Sequence, residues 1–77
     1  MPITPAQCRA ARGLIEMDQG TLAGGAMVSR SVIIDFENGK RVPMRNNLAA
    51  IQRVLEAAGV EFTNGDAPGV RLRAKKR

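Results

Sequence analysis

A chain of 77 residues and 8.3 kDa allows one domain, near the lower limit at which a hydrophobic core alone holds a fold, because so short a chain hides only about 60% of its unfolded surface. With no His, Trp or Tyr, one Cys and two Phe, it leaves no material for His-based acid–base catalysis, for zinc held by His or several Cys, or for a disulfide framework within the chain. A net charge of +5 and a pI near 10.7, with no apolar run approaching the roughly 20 residues of a membrane span, point toward polyanionic partners rather than a bilayer interior.

Thr4-Pro5 marks a helix start, with Thr as N-cap, Pro at the first helical position and Gln7 placed to complete a capping box. The first helix, Ala6 to Glu16, carries Ala10, Ala11, Leu14 and Ile15 at helical spacing, with Arg9 and Arg12 interleaved. Asp18 caps a second, short helix whose stripe is Leu22, Ala23 and Ala26. Gly20, Gly24 and Gly25 each weaken that helix by about 1 kcal/mol relative to Ala, so tertiary packing must hold it. Ser29 caps a third helix, about Ser29 to Asn38, with Ile33 and Phe36 on one face and Gly39 as the left-handed residue that ends it. After the Val42-Pro43 connection a longer helix runs from about Arg45 to Ala58. Asn46 or Asn47 is its expected cap, Leu48, Ile51, Val54, Leu55 and Ala58 form its apolar face, and Gly59 stops it.

Beyond Gly59 the period changes to two. Val60 and Phe62 flank Glu61, and Val70 and Leu72 alternate with Arg71 and Arg73, with Asn64-Gly65 and Pro68-Gly69 between. This predicts an antiparallel hairpin with a loop of about five to seven residues. A lone hairpin is marginal in water, so its apolar face must pack on the helices or on a second subunit. Residues 71–77 hold five of the twelve basic residues, and the other seven balance the seven acids. The excess charge therefore sits in the tail, where it either meets nucleic acid or is simply solvated.

The segment from Asp18 to Pro43 resembles the helix-turn-helix of the phage-repressor (Cro/CI, or XRE) family, with Gln19, Leu22, Ala23, Val28, Ser29, Ile33, Glu37, Gly39 and Pro43 in register. With the first and fourth helices the resemblance covers about residues 4–60. Ala58-Gly59-Val60-Glu61-Phe62 and Gly69-Val70-Arg71-Leu72 are similar to the C-terminal hairpin of small family members. The implied fold is mainly α: a four-helix repressor-like helix-turn-helix domain (1–59), a short β-hairpin (60–73) and a basic tail (74–77). One departure is Met27, which stands where the family usually has Gly. That site tends to need φ > 0, at a cost of roughly 1 kcal/mol or more for a residue with a Cβ.

The resemblance makes the third helix the recognition helix, its N-terminal half in the major groove. Ser29, Arg30 and Ser31 then face bases and phosphates. Arg30 can donate twice to guanine, and Ser31 can donate or accept; otherwise Arg30 is a solvated charge. Asp35, one turn beyond Ser31, could accept from cytosine N4 or orient Arg30, or be repelled by phosphates. Ile34, off the core face, is expected to be exposed and to touch a thymine methyl, a partner protein, or nothing. Gln19 is implied to clamp a phosphate at the start of its helix, where N–H donors and the dipole help. Asn38, Lys40, Arg41 and Arg45 are expected on the DNA backbone. Arg12 and Glu37 are implied to be a partly buried ion pair tying the first helix to the end of the third, and Cys8 a small packing residue.

The expected function is that of a sequence-specific, double-stranded DNA-binding transcriptional regulator. It would be a cytoplasmic homodimeric repressor reading a near-palindromic operator, with no cofactor, no metal and no enzymatic activity. Phe62, Val70 and Leu72 on the hairpin are the expected dimer contacts, since a two-stranded sheet leaves an apolar face to cover. The alternative is a protein-interaction module, an antitoxin or antiactivator type of partner using Met27, Ile34 and the hairpin edge. An RNA-binding role is disfavoured by the shortage of aromatic rings for stacking bases.

Overall fold

A computed structural model describes residues 2–64 and 67–73. Gly65 of the expected turn, and the basic tail with Lys75, Lys76 and Arg77, lie outside the described residues. The elements are α1 (Pro5–Ile15), α2 (Gln19–Ala26), α3 (Arg30–Glu37), α4 (Arg45–Ala57), β1 (Val60–Thr63) and β2 (Gly69–Leu72). The protein is thus mainly α, four helices followed by a two-stranded antiparallel hairpin.

The capping box of α1 is complete: Gln7 N–H donates to Thr4 Oγ1 at 3.1 Å, and Thr4 N–H donates to Gln7 Oε1 at 2.9 Å. Two of the helix's otherwise unpartnered N–H groups are thereby satisfied. The buried face of α1 is Gln7, Cys8 and Ala11, with Ile15 packed against the core. Ala10 and Leu14, expected in the apolar stripe, are exposed. Each precedes a core position by one residue, which turns it about 100° away from the packed face.

The first three helices end alike. Met17 N–H donates to Arg12 O, Val28 N–H to Ala23 O and Lys40 N–H to Asp35 O, at 3.0, 3.0 and 2.8 Å. In each case the preceding residue is left-handed: Glu16 (φ 55°), Met27 (φ 60°) and Gly39 (φ 74°). This is the Schellman arrangement, in which a left-handed residue lets the next N–H reach back to a carbonyl of the last turn. Only Gly39 adopts that conformation without a Cβ penalty.

The short helices α2 and α3 are joined by the three residues Met27–Ser29, and Ser29 Oγ caps α3 by accepting from Val32 N–H at 3.4 Å. Leu22, Ala23 and Ala26 of α2 and Val32, Ile33 and Phe36 of α3 enter the core with Leu48, Ile51 and Leu55 of α4. A Cβ on Gly25 would stand 3.2 Å from both Val54 methyls, whereas one on Gly24 would meet nothing within 4 Å. Gly25 therefore sets how closely α2 approaches α4.

The expected cap of α4 is corrected. Met44 is its N-cap and makes no side-chain capping bond. Asn46 and Asn47 fall inside the first turn, because Leu48 N–H already donates to Met44 O at 2.9 Å. The helix starts directly after the buried Pro43.

In the hairpin, Val60 pairs with Leu72 and Phe62 with Val70. Directly opposed residues share a face, so these four form the apolar face, with Glu61 and Arg71 on the other. Arg71 Nε lies 2.7 Å from Glu61 Oε1 in an exposed ion pair. The apolar face folds back on α1 and α4 of its own chain: Val60 is fully buried, and Phe62 and Val70 pack on the core. Gln7 closes the far end, its Nε2 donating to Thr63 O at 2.9 Å and Gly69 O at 3.0 Å. Phe62 and Val70, expected at a dimer contact, are half-buried and pack on the core of their own chain. Leu72, 50% exposed, is the outer end of the same face.

Candidate nucleic-acid interface

The α2–α3 segment and its flanks carry a run of exposed polar residues. Asp18 Oδ1 accepts from Thr21 N–H at 2.6 Å, capping α2. That hydrogen bond, with a smaller contribution from the nearby charge of Arg30, holds the Asp18 carboxyl below its usual range. Ser29, Arg30 and Ser31 at the start of α3 are all exposed, and the two serine hydroxyls lie 3.1 Å apart. Ile34 and Asp35 are half-buried, so Ile34 offers less surface than its position in the sequence suggested. Asp35 makes no ion pair with Arg30 among the described residues. Five positions separate the two, about 140° around the helix, so they do not face each other. Asn38, Lys40, Arg41 and Arg45 are exposed and follow one another from the end of α3 to the start of α4.

Glu37 is buried at the end of α3 and is satisfied by four donors. Arg12 is bidentate, Nη2 to Oε1 at 2.6 Å and Nε to Oε2 at 2.7 Å. Cys8 Sγ donates to Oε2 and Gln19 Nε2 to Oε1, each at 3.1 Å. Arg12 Nη1 also donates to Met17 O at 3.1 Å, and Arg9 Nη1 donates to the backbone carbonyl of Glu37. Burial pushes the Glu37 carboxyl up, but the hydrogen bonds from Arg12, Cys8 and Gln19 together outweigh it and hold the group ionised below the usual carboxylate range. For Cys8, burial and then the bond to Glu37 push the thiol far up. Cys8 is therefore a proton donor and not a thiolate nucleophile.

The implied pair of Arg12 and Glu37 is thus the centre of a larger network. Cys8 and Gln19 belong to it, although the sequence suggested packing for one and a phosphate for the other. Spacing offered a partial signal for Cys8, four residues before Arg12 and so on the same helix face. Gln19 keeps one amide hydrogen beyond the one given to Glu37. The network ties the start of α2, the end of α3 and α1 at one point, which fixes how α3 is presented.

Among the described residues no group of three or more His, Cys, Asp and Glu could hold a metal ion, and no helix is long and apolar enough to cross a membrane. Compared with known proteins, the chain matches no family model and no curated protein.

Proposed function

We propose that this chain is a sequence-specific, double-stranded DNA-binding transcriptional regulator that acts as a homodimeric repressor with α3 in the major groove. The observation that carries the reading is the exposed Ser29-Arg30-Ser31 turn, on a helix whose opposite face, Ile33, Phe36 and Glu37, is buried. Arg30 supplies the bidentate donor for guanine and Ser31 an adaptable hydroxyl. Lys40 and Arg41 supply cations for the phosphates beside the groove, and Gln19 with Ser29 supplies polar donors at the helix starts. Two protomers would read half-sites about one helical turn, roughly 34 Å, apart.

The test is footprinting of the purified protein on the DNA upstream of its own gene. Protection of an inverted repeat, with weaker binding to random duplex at the same salt, is the expected result. Equal affinity for all duplexes across a salt series would end the reading. A second reading, a module that docks on another small protein, draws on Met27, 90% exposed at the tip of the α2–α3 turn. It would be favoured if a Met27→Asp variant lost a protein partner while keeping DNA affinity.

A further inference from the structure

One flank of α4 carries Arg45, Ala49, Gln52 and Glu56 at spacings of four, three and four, a single stripe along the helix. Arg45 is exposed and the other three are half-buried. A concavity of about 400 Å³, lined by Pro2, Arg45, Leu48, Ala49 and Gln52, runs beside it. The charges oppose the helix they stand on. Arg45 is its first residue and Glu56 its last but one, and the helix has no acid in its first turn and no base in its last. A cation at the positive N-terminal end and an anion at the negative C-terminal end are both disfavoured by the macrodipole. Gln52 Nε2 donates to Glu56 Oε2 at 3.0 Å, and Arg73 Nη2 donates to the Glu56 carbonyl at 2.8 Å. Neither Arg45 nor the Glu56 carboxylate forms a salt bridge among the described residues.

We propose that this stripe receives a second copy of the chain, α4 against α4, antiparallel across a two-fold axis. The stripe is self-complementary in one register: when Arg45 faces the partner's Glu56, Ala49 faces the partner's Gln52, because both pairs share a midpoint on the helix. The two-fold axis makes each contact twice. Arg45 then lies beside the C-terminal end of the facing helix and Glu56 beside its N-terminal end, so both charges gain the dipole they lack at home. Ala49, near the axis and small, lets the helices approach closely. The assignment takes Arg45 from the phosphates and the dimer from the hairpin. It rests on the homodimer of the proposed function and is independent of DNA.

Sedimentation equilibrium of the full chain at about 100 μM without DNA tests it. The wild type should be dimeric. Arg45→Glu and Glu56→Arg should each raise the dimer Kd at least about tenfold, with unchanged helical circular dichroism. Mixing the two single variants should restore the dimer, because Glu at 45 of one chain then meets Arg at 56 of the other and both pairs are opposite in charge. The double variant Arg45→Glu/Glu56→Arg should also be dimeric, and Ala49→Trp, which fills the axis position, monomeric. A monomeric wild type, single variants as dimeric as the wild type, or a mixture that stays monomeric overturns the proposal. A monomer that still protects an operator would sink this interface alone, and a dimer indifferent to DNA would sink the DNA reading alone.

Discussion

Gly25 and Val54 stand so close that a Cβ on the glycine would lie 3.2 Å from each valine methyl. Gly24, one position earlier, faces open space within 4 Å. Gly24→Ala should therefore stabilise the protein by about 0.5–1 kcal/mol through helix propensity. Gly25→Ala should be worse than Gly24→Ala by roughly 1 kcal/mol, because Val54 must move. In a Val54→Ala background the two substitutions should converge. Urea midpoints of the double-mutant cycle decide, and equal gains in the wild-type background would refute the close approach.

Met27 and Glu16 hold left-handed conformations that glycine adopts freely. Met27→Gly and Glu16→Gly should each raise stability by about 0.5–1 kcal/mol, net of the greater freedom of glycine in the unfolded chain. Met27 has almost no packing to lose. A lower urea midpoint for Met27→Gly at unchanged m-value would contradict this.

Gln7→Glu separates two roles of one side chain. The carboxylate can still accept from Thr4 N–H, so the capping box survives. It cannot donate to Thr63 O and Gly69 O, and it sets a negative charge against both carbonyls. The expected loss is about 1–3 kcal/mol, with hydrogen-exchange protection falling in β1 and β2 before α1. Uniform loss of protection would mean that the clasp does not hold the hairpin separately.

The Glu37 carboxyl is held below its ordinary range, so its contribution is present above the unfolded carboxyl pKa of about 4.3 and is lost as pH falls through the folded value. The gap in urea midpoint between the wild type and Glu37→Gln should accordingly close on acidification. At neutral pH, Arg12→Ala leaves the buried carboxylate short of two donors and should cost about 3 kcal/mol or more. A Glu37→Gln variant whose midpoint runs parallel to the wild type's from pH 7 to about 2.5 would remove Glu37 as the source of acid sensitivity.

Arg30→Ala should lower operator affinity by about 1–3 kcal/mol and relax preference at one base pair. Lys40→Ala should weaken operator and random DNA alike and reduce the salt slope by about 0.9. Unchanged binding by the Arg30 variant would move base reading away from α3.

Much of this architecture was legible because local chemistry announced it. Thr4-Pro5 with Gln7 specifies a helix start, and Asn38-Gly39 a helix stop, wherever they occur. Glu16 was not legible: nothing about a glutamate marks a left-handed residue, and the conformation is imposed by the chain turning from α1 into α2. Gln7 was legible as a capping residue but not as a clasp, since its amide finds its acceptors 56 and 62 positions away. The hairpin was legible from its period of two, but which body would cover its apolar face was not. Val60 enters the core shared by four helices, a contact that depends on how those helices meet and not on the period. On the α2–α3 segment and its flanks the exposed cations were evident, whereas the engagement of Gln19 with Glu37 depends on how α2 meets the end of α3.

The clasp between Gln7 and the hairpin has a kinetic meaning. Helical turns close within a few residues of themselves, but this contact joins the first helix to the last strand and bears the loop-closure entropy of most of the chain. Docking of the hairpin is therefore expected to follow the transition state for assembling the helices. Interactions made that late retard unfolding more than they hasten folding, so Gln7→Glu is expected to speed unfolding more than it slows refolding, shortening the lifetime of the native protein.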